Sequence, residues 1–104
     1  MSDNLIITVQ EGTTSSRIIV SGRLDLVSAE KLRKAARGCL RHTAREVVLE
    51  MGDLTYLDSM AMGAILSCRT LLENEGKKLV LAGPQGMILE ALRIANFHKL
   101  FEFR

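Results

Sequence analysis

The chain has 104 residues, 47% of them hydrophobic and 25% charged, with a formal net charge of +2. These values describe one ordinary globular domain, 1–104, large enough to bury a core without staples, and they argue against a nucleic-acid binder. The longest apolar run, Met60 to Leu66 broken by Gly63, is far short of the ~20 residues that cross a bilayer, so no membrane insertion is expected. Met1-Ser2-Asp3-Asn4 lacks the basic start and apolar stretch of a signal peptide, which makes the cytoplasm the expected location.

Leu5 to Val9 is β-branched and strand-like, and the polar cluster Glu11 to Ser16 separates it from a second strand, Arg17 to Val20, that Gly22 ends. The pair reads as a hairpin. Ser28 is placed to cap a helix running to about Arg41, with Ala29, Leu32, Ala36, Cys39 and Leu40 on one face. Lys31, Arg33, Lys34, Arg37 and Arg41 occupy much of the remainder, a pattern most often simply solvated. Arg45 to Met51 is the third strand, and its unbroken Val47-Val48-Leu49 predicts burial on both faces. A short turn then ends in Asp58-Ser59, and an apolar helix runs from Ser59 to about Asn74, closed by Glu75-Gly76-Lys77-Lys78.

Leu79 to Ala82 is the fourth strand. Gly83-Pro84 opens a third helix whose inner face is Ile88, Ala91, Leu92 and Ala95, followed by the apolar tail Phe97, Leu100, Phe101 and Phe103 that is expected to fold back on the domain. Two successive strand-helix-strand units imply a parallel portion behind the leading hairpin. The expected fold is α/β: one domain with a mixed four-stranded sheet and about three to four helices.

The segment around Asp58-Ser59 carries most of the information. Both residue types accept the free N–H groups of a first helical turn, and most such pairs only cap. A hydroxyl there is also where an added phosphate meets the positive end of a helix. On a helical wheel Met60, Ala61, Ala64, Ile65, Cys68, Leu71 and Leu72 form the core face of this helix, while Met62 and Leu66 fall outside it, four residues apart. They are expected to form a small exposed apolar spot one turn past Ser59.

Val48 to Leu66 resembles the core motif of STAS domains, the fold of bacterial anti-sigma factor antagonists and of the cytoplasmic tails of sulfate transporters. The family pattern is roughly an apolar strand, D-L-S, an apolar position, two variable positions, D-S-S-G-L-G and then aliphatics, and here it reads Val48-Leu49-Glu50-Met51-Gly52-Asp53-Leu54, then Leu57-Asp58-Ser59-Met60-Ala61-Met62-Gly63. Gly22-Arg23-Leu24-Asp25 looks like the family's G-x-L-D. Glu50 stands where Asp is usual, and Met60-Ala61 replaces S-G.

The resemblance implies a switchable binding module. Its partner surface would comprise Asp25, Asp58, Ser59, Met60, Met62, Gly63 and Leu66, with Ser59 the phosphorylation site. The implied partners are an anti-sigma factor of the ATP-binding serine-kinase type and a protein phosphatase acting on Ser59, with a weak homodimer left open. A constitutive adaptor, docked on a lipid-transport ATPase or built into a stress-sensing complex, is the alternative, and a nucleotide- or lipid-binding module rests on fold analogy alone. No Ser-His-Asp arrangement, glycine-rich phosphate loop or metal spacing is present, so no enzyme, cofactor or metal is expected, although Glu50, Asp53 and Asp58 fall near strand ends. Cys39 and Cys68 read as buried free thiols, and His42 and His98 lack ligand neighbours.

Overall fold

The structure is a computed structural model and describes residues 4–104. Five strands form one sheet in the order of the chain: β1 (Ile6–Gln10), β2 (Ser15–Leu24), β3 (Glu46–Leu57), β4 (Lys78–Ala82) and β5 (Glu102–Phe103). The β1–β2 hairpin is antiparallel and every later pairing is parallel. The sheet is mixed, as expected, but has five strands rather than four. The fifth comes from the apolar tail: Phe97–Lys99 form a single 3₁₀ turn, and Phe103 then pairs with Leu81 at the sheet edge. Two residues of strand leave no periodicity for a sequence to display.

Three α-helices follow: α1 (Ala29–Cys39), α2 (Ser59–Glu73) and α3 (Gly86–Ile94). One core cluster joins Leu32, Ala36 and Cys39 of α1, Ala61, Ile65, Cys68 and Leu72 of α2 and Leu92 of α3 to Ile18, Val20, Val47, Leu49, Met51, Leu79 and Leu81 of the sheet. All the helices therefore lie on one face. Val48 and Val80 alternate with that set on the other face and are nonetheless buried. There Glu46, Glu50, Lys78, Glu102, Arg17 and Arg104 pair with one another and lay their aliphatic stems over the valines. The double-sided burial predicted for Val47-Val48-Leu49 is thus observed, with helices on one side and ion pairs on the other.

The third strand departs most from expectation. It continues through Gly52-Asp53, read as a turn, to Leu57, and β2 likewise runs through Gly22 to Leu24. The β2–β3 register slips between Ile19 and Ser21 and again between Gly22 and Arg23. At each slip two consecutive β3 residues face outward, Gly52-Asp53 and then Thr55-Tyr56, while Met51 and Leu54 stay buried. These are β-bulges, which hide a strand from any period-two reading. Gly83, at φ +73, brings its backbone against the first bulge, where an added Cβ would lie 3.5 Å from Gly52 N. Gln85 Nε2 donates to Gly52 O at 3.1 Å in the same place, and α3 begins three residues later than Gly83.

Candidate functional site at the Asp25–Ser59 edge

Leu24 stands opposite Leu57 in the parallel β2–β3 register. Asp25 and Asp58 are the next residue on each strand, so the two acids leave the sheet side by side on backbones about 5 Å apart. The helices that follow, α1 and α2, start from this same edge. The two motifs singled out in the sequence, with their acids 33 residues apart, are brought together by one pair of hydrogen-bonded strand ends.

At the second strand end Asp58 alone makes the cap. Asp58 has extended backbone and its Oδ1 accepts from Ala61 N at 2.8 Å, while its carbonyl accepts from Met62 N at 3.0 Å. Asp58 is the N-cap, and Ser59 is the first helical residue and exposed. The capping role is filled by the acid, which leaves the serine hydroxyl outside the cap.

The first strand end is tied differently. Ser28 occupies the N-cap position of α1, but its hydroxyl makes no cap bond. It donates instead to Arg23 O at 2.9 Å and accepts from Asp25 N at 2.9 Å. The Asp25 carboxylate accepts from Ser28 N at 3.1 Å, and this backbone donation is the main reason its carboxyl lies below the usual range. Asp25 therefore organises its own turn while remaining half-exposed. Arg23 joins the two ends: its guanidinium lies over the Tyr56 ring at 3.7 Å and its Nε donates to Asp25 Oδ2 at 3.4 Å. Thr55 Oγ1 adds a bond to Gly22 O at 3.1 Å.

The apolar part of the site differs from expectation. Met62 and Leu66 are half-buried and pack against the core cluster, so they form no exposed spot. Helix α2 packs on α1 along one side and on β4 beneath, which widens its covered arc to include them. Met60, placed on the core face by the wheel, is instead 54% exposed. Gly63 is exposed with nothing within 4 Å of where a Cβ would be, so no neighbour within the protein requires a glycine there. Of the two residues that replace S-G, only Met60 alters the surface, since Ala61 is fully buried.

Two features of this edge had no sequence signal strong enough to find. A cavity of about 220 Å³ lies beside Asp25, lined by Asn4, Leu5, Arg23, Val27, Ser28 and Lys31. A groove of about 360 Å³ separates the bulged end of β3 (Leu54, Tyr56, Leu57) from α3 (Met87, Ile88, Ala91). The groove depends on β3 extending to Leu57. Away from this edge, Cys39 and Cys68 are free and buried, and burial pushes the Cys68 thiol up to about 11. His42 Nδ1 lies 2.6 Å from Ser16 Oγ, and His98 is exposed. Among the described residues no helix is long and apolar enough to cross a membrane.

Comparison with known proteins agrees with this geometry. The family model described as STAS domain matches residues 5–104. A STAS-domain containing protein of Pseudomonas aeruginosa is 32% identical over 85 residues, covering 82% of this chain and 83% of that protein. Among solved structures, an anti-sigma factor antagonist from Mycobacterium paratuberculosis superposes with a TM-score of 0.85 at 18% identity, covering 99% of this chain and 89% of that one. The anti-sigma factor antagonist SpoIIAA in its unphosphorylated form gives a TM-score of 0.79 at 16% identity, covering 95% and 88%. SpoIIAA of Bacillus has also been solved in a phosphorylated form, which gives 0.72 at 15% identity, covering 95% and 91%.

Proposed function

The chain belongs to the STAS domain family, and on that premise we propose that it is an anti-sigma factor antagonist, a non-enzymatic binding module switched by phosphorylation of Ser59. Unmodified, it sequesters an anti-sigma factor of the serine-kinase type and frees a sigma factor for transcription. The kinase phosphorylates Ser59 and releases it, and a phosphatase restores the binding form. The observation that carries this reading is the division of labour at the α2 N-terminus, where Asp58 caps and Ser59 stands exposed beside it. The likeness to SpoIIAA, a protein solved in both phosphorylation states, supports it.

The partner surface comprises Asp25, Asp58, Ser59, Met60 and Gly63, with Met62 and Leu66 supporting it from half-buried positions. An interior helix glycine costs roughly 0.5–1 kcal/mol relative to alanine. At Gly63 nothing inside the protein offsets that cost, and a flat spot one turn past Ser59 suits close approach of a partner backbone. Phosphorylation adds roughly −1.5 to −2 charges. The helix dipole favours that charge by about 0.3–1 kcal/mol. A partner acid about 5 Å away is repelled by on the order of 3 kcal/mol at an effective dielectric near 20, about a hundredfold in affinity.

The exposed Met60 favours the second reading, a constitutive adaptor held by an apolar anchor. Pull-down from the native host lysate, with the protein and its Ser59→Asp variant as baits, separates the two. Capture of a kinase-type anti-sigma factor by the first bait alone supports the switch. Retention of a transporter ATPase or a multi-STAS complex by both baits overturns it.

A further inference from the structure

Helix α1 and the two residues after it concentrate the positive charge of this protein. Residues 29–41 hold Lys31, Arg33, Lys34, Arg37 and Arg41 against the single acid Glu30, a net +4, whereas the whole chain is +2, so the remainder is net −2. Arg33 and Arg37 lie one turn apart on the side that meets α2. With Ser67, Cys68 and Leu71 of α2 they line a groove of about 170 Å³. Glu30 serves both arginines, at 2.6 Å from Arg37 Nη2 and 3.5 Å from Arg33 Nη1. The facing wall offers no acid: Ser67 Oγ donates to Gly63 O, Leu71 is half-buried, and Glu73 is taken by Arg69 at 3.1 Å. Two guanidiniums thus share one exposed carboxylate above an apolar floor.

We propose that this α1–α2 groove is a second docking surface, and that its occupant is an acidic amphipathic helix of a partner protein. The groove between two packed helices receives the side-chain ridge of a third. Guanidiniums at i and i+4 are spaced about 6 Å along the axis, which matches carboxylates at i and i+4 on a facing helix, and each pair is suited to bidentate contact. An apolar residue between those carboxylates meets Leu71. A lipid surface fits less well, because the large exposed apolar residues, Ile6, Leu26, Val27, Met60, Met87 and Ile94 foremost, lie on neither wall of the groove. Ser67 is two turns past Ser59, about 12 Å along α2, and one turn past Gly63, so a helix here lies beside the far end of the Asp25–Ser59 surface and does not cover Ser59 itself.

The test titrates the full chain with a fluorescent synthetic helix carrying Glu at every fourth position and Leu between, and with a scrambled peptide of equal composition. Amide shifts on titration locate the contact. The expected result is binding that perturbs residues 33, 37, 67 and 71, with the scrambled peptide at least ~10-fold weaker and Arg33→Glu/Arg37→Glu at least ~30-fold weaker. Raising NaCl from ~0.05 M to ~0.3 M weakens binding several-fold. Circular dichroism confirms the fold of the charge-reversed variant, and Arg33→Gln/Arg37→Gln substitutes for it if it does not fold. Equal binding of the scrambled peptide, indifference to both double variants, shifts centred elsewhere, or tighter binding of phosphatidylglycerol vesicles or duplex DNA overturns the proposal.

Discussion

Replacing Glu46 by Gln removes the strap that closes the helix-free face of the sheet. Arg104, which follows β5, reaches past β4 to β3 and donates Nη1 and Nη2 to the two Glu46 carboxylate oxygens at 3.0 and 2.6 Å. Ser15 Oγ adds a third donor at 2.7 Å. The Arg104 bonds, followed by that of Ser15, hold the Glu46 carboxyl down at about 2, from an ordinary 4.5. Taken at face value that depression is worth about 3 kcal/mol. The Arg104 side chain is 44% exposed, so solvent screening reduces the expected contribution to about 1 kcal/mol.

The sign follows from the direction of the shift. A carboxyl held below its unfolded value stabilises the fold above that value and loses the contribution as pH falls through the folded one. Glu46→Gln is therefore expected to lower unfolding free energy by about 1 kcal/mol at pH 7, a fall in Tm of several degrees. The deficit should shrink steadily from pH 4.5 towards 2. Urea unfolding of both proteins across that range measures it. A variant as stable as the parent at pH 7, or a deficit unchanged by acid, refutes the reasoning.

Asp58→Ala is expected to cost about 1 kcal/mol through loss of the N-cap, whereas Ser59→Ala changes stability by less than about 0.5 kcal/mol, and paired thermal melts distinguish them. Lys77 is buried and donates to His42 O at 2.7 Å and Ala44 O at 2.6 Å. Lys77→Met leaves both carbonyls without that donor and should destabilise by about 2–4 kcal/mol in urea unfolding. With Cys68 raised to about 11 by burial and Cys39 buried beside α2, neither thiol should react with a disulfide reagent at pH 8 until denaturant is added. Prompt labelling in native buffer would contradict that burial.

The parts of the fold that were legible in the sequence are those whose signal is local. The α1 face of Ala29, Leu32, Ala36 and Cys39, the start of α2 at Ser59 and the apolar run Val47 to Leu49 all behave as their spacing predicts. Bulged β3 was not legible, because Gly52-Asp53 carries turn chemistry and the strand continues only by pairing with β2. Met60 and Met62 exchanged roles for a related reason: a wheel gives the angle of a residue but not which neighbours cover it. The Glu46–Arg104 strap, 58 residues apart in sequence, and the Arg23–Tyr56 stack depend entirely on tertiary placement. Ser28 shows the limit even locally, since its cap-like sequence position is spent on holding the Asp25 turn.

The central claim is that phosphate on Ser59 turns binding off. Isothermal titration of a cognate anti-sigma serine kinase with the unmodified protein and with the same protein stoichiometrically phosphorylated at Ser59 addresses it directly. The account predicts a loss of about a hundredfold in affinity on phosphorylation, with α2 helicity unchanged. Equal affinity of the two forms would contradict it.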